Sequence, residues 1–417
     1  MLERTIQPYI ERTSRSFPVL LLTGPRRVGK SVLLSMIGGE KRKYVTLDNM
    51  DDRTMARNDP AMFLQKYAPP ITIDEVQYAP ELFSYIKIWV DNHKADHLIK
   101  GKKPADPRGA FWLTGSQKYS LMKGIRESLA GRIAIIDMLG FSRKEAVKRP
   151  FESKPFYPSM EMIHRNVSAK LKLLDVYKLV WKGSFPEVLT KKNMGRDEYY
   201  SSYMQTYIER DVKDFQGIGN ELKFLAFVRA VAVRTGSLVN YNGLAKDCDI
   251  DLRTAQLWMN TLQRSGLVYL LPPYSPNVTK RIIKTPKIYF LDTGLASYLA
   301  RIDSPQALEA SYLAGSMLET NAFIEMLKTF WHNGQEPPVY FYRDTNQKEV
   351  DFILEKNMTL YPIEVKKTVL PGQSDTRNFG VLKHLGKKIG TGAIVCLSPS
   401  FSPLPQKDIV SVPVWEI

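Results

Sequence analysis

Cysteine and histidine are both scarce in this chain of 417 residues, which contains two of the first and five of the second. The cysteines, Cys248 and Cys396, lie far apart, and neither has a neighbour at a metal-ligand spacing. This argues against a disulfide scaffold or a zinc site and is typical of a reducing compartment, so we expect a cytoplasmic protein. The histidines show no clustering that would suggest metal binding.

Long apolar runs are also missing. The first residues, Met1–Arg4, contain no apolar signal core. No later run approaches the length of about 20 residues that a membrane-spanning helix needs. We therefore expect no membrane partner. The length predicts about two to four domains, because a single core rarely grows beyond about 250–300 residues.

Positive charge is in excess, with 59 Lys and Arg against 43 Asp and Glu and a net charge of +16. Such an excess favours a polyanionic partner, with nucleic acid as the first candidate and an anionic membrane surface as the second. A basic surface without a partner is the alternative. We therefore expect DNA as a partner.

The most informative motif is an apolar strand, Val19–Thr23, that runs into the pattern G-x-x-x-x-G-K-S. In this pattern backbone N–H groups wrap around phosphates, the lysine reaches the β- and γ-phosphates, and the serine hydroxyl holds Mg²⁺. The apolar run Val32–Ile37 predicts a buried helix, whose positive N-terminal end faces the phosphates. ATP and Mg²⁺ are the expected cofactors. The predicted binding residues are Gly24, Pro25, Arg26, Arg27, Val28, Gly29, Lys30 and Ser31, with Lys30 also catalytic and Ser31 also a metal ligand.

A second apolar strand, predicted over 71–75, ends in the carboxylates of Asp74 and Glu75. In a P-loop NTPase the first carboxylate of such a pair holds Mg²⁺, usually through water, and the second polarises the attacking water as general base. We assign these roles to Asp74 and Glu75. The second carboxylate favours an ATPase over GTPases and kinases that lack this base.

Three further residues are candidates for catalysis. A strand predicted over 110–115 leads to Ser116 and Gln117, where a polar side chain typically senses the γ-phosphate. Arg132 follows a glycine and precedes a strand, and such an arginine can stabilise charge on the γ-phosphate of a neighbouring subunit. A surface ion pair is the alternative for Arg132.

Five short apolar runs alternate with helix-length segments in the first third of the chain, as in a parallel sheet covered on both faces. The runs are Val19–Thr23, Tyr44–Asp48, Ile71–Glu75, Ala110–Gly115 and Ile133–Met138. The polar stretch 94–108 between the third and fourth is predicted to be an exposed loop.

The middle of the chain is predicted to be helical. Over 141–219 four tyrosines, Tyr199, Tyr200, Tyr203 and Tyr207, have helical spacing and are expected to be core contacts. From 220 to 300 three helices precede two apolar strands, the layout of a winged helix-turn-helix. Many winged helices bind DNA, whereas others mediate protein contacts. The candidate DNA-binding residues are Arg253, Gln256, Lys280, Arg281 and Lys284.

The last part of the chain combines acidic residues and a lysine, namely Glu319, Asp351, Glu364 and Lys366. A predicted helix carries the first, and two predicted strands joined by a short polar turn carry the others. Pairing of these strands as a hairpin would bring Asp351 near Glu364, and residues two apart share a strand face. Clustered carboxylates bind Mg²⁺, and a lysine can orient or deprotonate the water that attacks a phosphodiester.

These four residues resemble the PD-(D/E)xK pattern of nucleases, with its helix glutamate, strand aspartate and E-x-K. The resemblance implies a restriction-endonuclease-like α/β domain. Three interpretations stay open: an active nuclease, an inactive domain that only binds DNA, and a cluster of ion pairs.

The P-loop motif, the segment Ile73–Gln77, the segment Leu113–Ser116 and the segment Ser128–Arg132 together resemble a family of bacterial and archaeal AAA+ ATPases with a C-terminal domain of unknown function. The resemblance covers essentially the whole chain. It implies an α/β fold with a P-loop AAA+ core, a helical lid, a winged helix-turn-helix and the nuclease-like domain. The corresponding predicted domains are 1–140, 141–219, 220–300 and 301–417.

These parts predict a DNA-dependent AAA+ ATPase that hydrolyses ATP with Mg²⁺ to remodel or translocate on DNA, with branched or junction DNA as an attractive substrate. We expect a homo-oligomer, for which a hexameric ring is one arrangement. Two alternatives stay open: an ATP-regulated signalling or transcription-associated switch without motor activity, and a structure-specific nuclease that uses ATP for loading.

Overall fold

The computed structural model describes residues 2–99, 107–115, 121, 125, 127–191, 193–207, 220–277 and 285–417, and of residues 94–99 the backbone alone. In these ranges the helices are α1 (Gln7–Ser14), α2 (Lys30–Gly38), α3 (Met50–Asn58), α4 (Pro60–Lys66), α5 (Leu82–Ile99), α6 (Arg143–Ala146), α7 (Leu173–Lys182), α8 (Pro186–Thr190), α9 (Arg196–Tyr207), α10 (Glu221–Ala232), α11 (Tyr241–Asp247), α12 (Leu252–Arg264), α13 (Thr293–Leu299), α14 (Pro305–Ala310) and α15 (Ala314–Trp331).

The strands are β1 (Val19–Thr23), β2 (Lys43–Thr46), β3 (Ile71–Asp74), β4 (Phe111–Gly115), β5 (Ile133–Asp137), β6 (Val268–Leu271), β7 (Lys287–Phe290), β8 (Val339–Arg343), β9 (Glu349–Lys356), β10 (Thr359–Val365), β11 (Lys388–Ile389), β12 (Gly392–Cys396), β13 (Ser402–Pro403) and β14 (Ile409–Pro413). A long 3₁₀ segment, Gln373–Leu385, precedes β11.

The backbone divides into two compact units. The first consists of Met1–Phe141, Lys148–Phe151 and Trp331–Gly334. The second consists of Ser142–Val147, Glu152–Phe330 and Gln335–Ile417.

The first unit is built on a parallel sheet of strand order β2-β3-β4-β1-β5. The central strand β1 pairs with β4 on one side and with β5 on the other. All five strands lie where alternating apolar runs predict them, and β1, β3 and β4 are buried along their whole length. Because the strands are parallel, the residues that follow β1, β3 and β4 meet at one edge of the sheet, where ligands of open α/β sheets bind.

Two expectations for this unit are wrong. Helix α5 runs to Ile99, so the polar stretch predicted as a loop begins as helix, and residues 100–106 lie outside the described residues. Lys, Asp and His are compatible with a helix when no proline interrupts it. Helix α2 is also less buried than predicted, since Val32 and Met36 are exposed while Leu33 and Leu34 are buried.

The second unit begins with helices that pack around aromatic side chains. Tyr199, Tyr200, Tyr203 and Tyr207 of α9 are all buried, which confirms them as core contacts. Phe185 contacts three of these tyrosines through its ring.

Helices α10, α11 and α12 are followed by the antiparallel pair β6 and β7. Asp251 caps α12, its carboxylate accepting from the backbone N–H of Thr254 at 2.8 Å. Trp258 of α12 packs edge-on against Phe224 and Phe227 of α10. These contacts bury one face of α12, whereas Leu252 at its first turn is exposed.

The C-terminal sheet of this unit has the strand order β13-β14-β12-β10-β9-β8, with β11 paired to β10. Strands β9 and β10 form a hairpin through Asn357 and Met358, both with positive φ, as a tight two-residue turn requires. Helix α15 packs against this sheet and the β6–β7 hairpin. The ring centroid of Phe323 lies 4.4 Å from that of Tyr289 and 5.5 Å from that of Phe352. This stack brings α15, β7 and β9 together.

Candidate nucleotide-binding site and carboxylate cluster

The loop between β1 and α2 has the backbone of a phosphate-binding loop. At Gly24, with φ +142°, a Cβ atom would lie 2.0 Å from the carbonyl oxygen of Met138, so no other residue fits. Gly29 has φ +92° and directly precedes α2. The loop therefore delivers the chain to the N-terminus of α2, where N–H groups and the helix dipole favour an anion.

Lys30 and Ser31 begin α2, and both side chains have hydrogen-bond partners at the candidate site. The buried ammonium of Lys30 donates to the carbonyl oxygens of Gly24 and Pro25, at 2.9 and 2.8 Å. The hydroxyl of Ser31 donates to Asp74 Oδ1 at 2.6 Å. The P-loop and the end of β3 therefore meet, as the sequence predicts.

A magnesium ion fits this arrangement. The oxygens of Ser31 and Asp74 lie close enough to face one cation, and both are ligand types that Mg²⁺ takes beside waters and substrate phosphates. Ser31 and Asp74 would hold the ion, and Lys30 would contact the phosphates. When bound, the ion would neutralise charge on the phosphates.

Asp74 has two further partners that the sequence does not reveal. The hydroxyl of Tyr44, on β2, donates to Asp74 Oδ2 at 2.8 Å, and the hydroxyl of Thr114, at the end of β4, donates to Oδ1. Burial and the charge of Asp74 raise the pKa of Tyr44, which therefore stays a neutral donor. Each donor lies on a strand of the same sheet as β3, so sheet order, not sequence proximity, brings the three together.

Glu75 follows β3 in the left-handed region, with φ +55°. Its N–H donates to the hydroxyl of Thr114 at 3.2 Å, and its carboxylate accepts from the side-chain amide of Gln77. The left-handed φ of Glu75 turns the chain at the end of β3. Gln77, another residue that sequence reasoning missed, contacts the predicted general base.

Ser116 and Gln117, the predicted γ-phosphate sensors, lie outside the described residues. Arg132 lies inside them and forms a two-point ion pair with Asp91 of α5, at 2.6 and 2.9 Å. Its assignment to a neighbouring subunit's nucleotide stays a prediction.

The remaining P-loop residues differ in exposure. Pro25 and Val28 are buried, Arg26 is half-buried and Arg27 is exposed with positive φ. The carbonyl of Val28 accepts from Arg4 at 3.0 Å, and the same guanidinium donates to Leu139 at 2.7 Å. Arg4 therefore ties the loop to the segment that follows β5, a contact without a sequence signal.

In the second unit, the predicted carboxylate residues of β9 and β10 come together. Asp351 Oδ2 accepts from the N–H of Val365 at 2.9 Å, and the Glu364 carboxylate lies 3.4 Å from the N–H of Asp351. Lys366 Nζ lies 2.8 Å from Glu364 Oε1. Burial and the charges of Glu319 and Glu364 raise the pKa of Asp351 well above its usual range.

Helix α15 adds Glu319 to this carboxylate cluster, together with a lysine that sequence reasoning missed. Glu319 Oε1 lies 3.2 Å from the ammonium of Lys287 and accepts from the hydroxyl of Tyr289. Burial lowers the pKa of Lys287, but the charges of Glu319, Asp351 and Glu349 outweigh this and raise it above its ordinary value. In the described part of the chain no group of three or more His, Cys, Asp or Glu is arranged to hold a metal ion.

The candidate DNA-binding residues are only partly described. Arg253 and Gln256 are exposed on α12, while Lys280, Arg281 and Lys284 lie outside the described residues. Among the helices described here, none has the length and apolar character to cross a membrane.

Three family models match successive parts of the chain. An AAA domain matches residues 16–147, a domain of unknown function (DUF8612) matches 173–306, and another domain of unknown function (DUF4143) matches 314–417. Uncharacterized proteins of Mycobacterium bovis and Mycobacterium tuberculosis are each 28% identical over 415 residues, which is 98% of this chain and 82% of the relative.

Among solved structures, a Walker-type ATPase of Pyrococcus abyssi is similar at 13% identity with a TM-score of 0.44. That match covers 72% of this chain and 96% of the other. The AAA match spans the sheet, the P-loop, Asp74 at the end of β3 and Glu75 directly after it. The protein is therefore an ATPase whose residues 16–147 match an AAA domain.

Proposed function

We propose that the protein is a DNA-dependent ATPase of the AAA+ type, which couples Mg²⁺-dependent ATP hydrolysis to remodelling of DNA or movement along it. The proposal includes a homo-oligomer, with a hexameric ring as one arrangement. It also includes the helical lid over 141–219 and the winged helix-turn-helix over 220–300. Ser116, Gln117 and Arg132 would complete the ATPase site, the last of them from a neighbouring subunit.

The observation that carries the DNA role is a group of exposed polar side chains on α12, within the described part of the chain. Ala255, Trp258, Met259 and Leu262 are buried, whereas Arg253, Gln256, Asn260 and Gln263 are exposed. A helix packed on one face and carrying Arg, Gln and Asn on the other suits a DNA groove, because these side chains contact phosphates and base edges. The net charge of +16 supports the same partner.

The test is the Mg²⁺-ATPase rate of the full chain without nucleic acid, with single-stranded DNA, with duplex and with a four-way junction. We expect one DNA form to stimulate the rate and added salt to weaken that DNA's binding steeply. Arg253→Ala should lower the stimulation and reduce the salt slope by about 1 if Arg253 contacts a phosphate. Lys41→Ala, which removes the same charge from an exposed position of the first unit, is the matched control.

A second candidate is an ATP-regulated signalling or transcription-associated switch without motor activity. It is favoured by the contact of Gln77 with the Glu75 carboxylate, because a general base engaged by an amide suits slow, controlled hydrolysis. Equal and slow ATPase rates under all four conditions would support the switch and contradict the DNA-dependent ATPase.

A further inference from the structure

Lys287 is a buried cation that reaches the carboxylate cluster from the β6–β7 hairpin. Its side chain is 4% exposed, and its ammonium lies 3.2 Å from Glu319 Oε1 and 2.5 Å from Glu349 Oε1. The charge of Asp351 also acts on it. An ammonium group directs three donors at surrounding oxygens, and here it engages carboxylates from α15 and β9.

The lysine of the E-x-K pattern has a different environment. Lys366 is 37% exposed, and its ammonium contacts Glu364 at the edge of the cluster. Lys287 lies outside that pattern and is buried among the acids. Of these two lysines, Lys366 is the more exposed, so its ammonium is the one that a water molecule can reach more readily.

Three cations lie against the carboxylates of the cluster and the neighbouring Glu349. Lys287 contacts Glu319 and Glu349, and Lys366 contacts Glu364. Arg343 lies 3.6 Å from Glu349. A divalent cation placed among these carboxylates would be repelled by a buried ammonium only a few Å away, and this repulsion is strong where water is excluded.

We propose that Lys287 takes the place of a divalent cation in the carboxylate cluster, so that the cluster binds the chain's own hairpin and does not serve metal-dependent cleavage. The Lys287 contacts fasten β7 to α15 and β9. They thereby fix the position of the hairpin that belongs to the proposed DNA-binding unit. This inference is independent of the ATPase activity.

The test is Mn²⁺ binding to the nucleotide-free full chain, measured from the electron paramagnetic resonance signal of free Mn²⁺. For the wild type we expect no binding that depends on Asp351. Lys287→Met keeps the length of the side chain and removes its charge, and it should gain one bound Mn²⁺ per chain. The double variant Lys287→Met/Asp351→Asn should lose that ion again. Lys366→Met, which removes the same charge but leaves Lys287 in place, should gain none.

Two outcomes would overturn the proposal. One is Mn²⁺ binding, or Mn²⁺-dependent DNA cleavage, by the wild type that Asp351→Asn abolishes. The other is a Lys287→Met variant with unchanged circular dichroism that gains no ion. If Lys287→Met does not fold, the comparison of wild type with Asp351→Asn decides alone. The ATPase rate, recorded in parallel, separates this result from the proposed function.

Discussion

The hydroxyl of Ser31 and the carboxylate of Asp74 lie 2.6 Å apart, although 42 residues separate them along the chain. This contact joins the first turn of α2 to the end of β3. It places the predicted metal ligands beside Lys30, whose buried ammonium contacts the P-loop carbonyls.

Lys30→Ala should abolish ATP hydrolysis and weaken ATP binding strongly. The variant removes the cation that would contact the β- and γ-phosphates and leaves the loop backbone in place. Binding of a fluorescent ATP analogue and release of phosphate measure the two effects. Lys41→Ala, at an exposed position of the same unit, should leave both unchanged. Normal turnover by Lys30→Ala would show that this loop is not the nucleotide site.

Glu75→Gln should bind ATP and hold it unhydrolysed. An amide keeps the size of the side chain but does not accept a proton from water, and loss of a general base typically costs about 10²–10⁴-fold in rate. Single-turnover hydrolysis of pre-bound ATP measures the loss. Glu81→Gln, at an exposed position directly before α5, is the matched control. Retained turnover would mean that the base is another residue.

Tyr44→Phe should raise the Mg²⁺ concentration needed for half-maximal ATPase activity by about 10-fold, as expected when the partner of a metal-binding carboxylate is removed. The hydroxyl of Tyr44 orients Asp74, and its raised pKa keeps it protonated. Titration of Mg²⁺ at fixed ATP checks this, and the ATPase rate at saturating Mg²⁺ should be close to that of the wild type. A lower rate at every Mg²⁺ concentration, with an unchanged midpoint, would contradict an orienting role.

On the proposal that Arg132 stabilises charge on the nucleotide of a neighbouring subunit, Arg132→Ala should lower ATP hydrolysis without lowering the nucleotide affinity of a monomer. Asp91→Ala removes the ion-pair partner but keeps the arginine, so its hydrolysis should be retained. Both variants should lower the free energy of unfolding by at most about 1 kcal/mol, as for a partly exposed pair. If Asp91→Ala lowers ATP hydrolysis as much as Arg132→Ala does, the effect of Arg132 depends on its ion pair with Asp91. If neither variant lowers hydrolysis, Arg132 has no part in it.

The parts of the fold that the sequence predicts well depend on local signals. The P-loop follows from eight consecutive residues, and the approach of Asp351 to Glu364 follows from a short polar turn between two strands. The strands of the first unit lie where the apolar runs indicate them, within a residue or two at their ends. The sequence predicts a loop from residue 94, whereas α5 continues to Ile99, because charged residues suit a helix as well as a loop.

Tyr44 and Lys287 show what the sequence alone does not provide. Each reaches a carboxylate of a candidate site through strand neighbours or helix packing that link distant parts of the chain. A lone tyrosine in a strand and a lysine at a strand start carry no motif. Only the sheet order and the Tyr289–Phe323–Phe352 stack bring them to their partners.

The central position of β1 has a consequence for folding kinetics. Leu21 pairs with Leu113 on one side and with Ile135 on the other, so both neighbours of the P-loop strand come from the far end of its unit. Contacts between residues so distant in sequence are slow to form, because the chain must first close a long loop. On the ribosome the nucleotide site would therefore be completed only after β5 has emerged, and ATP would bind and stabilise only chains that have passed that point.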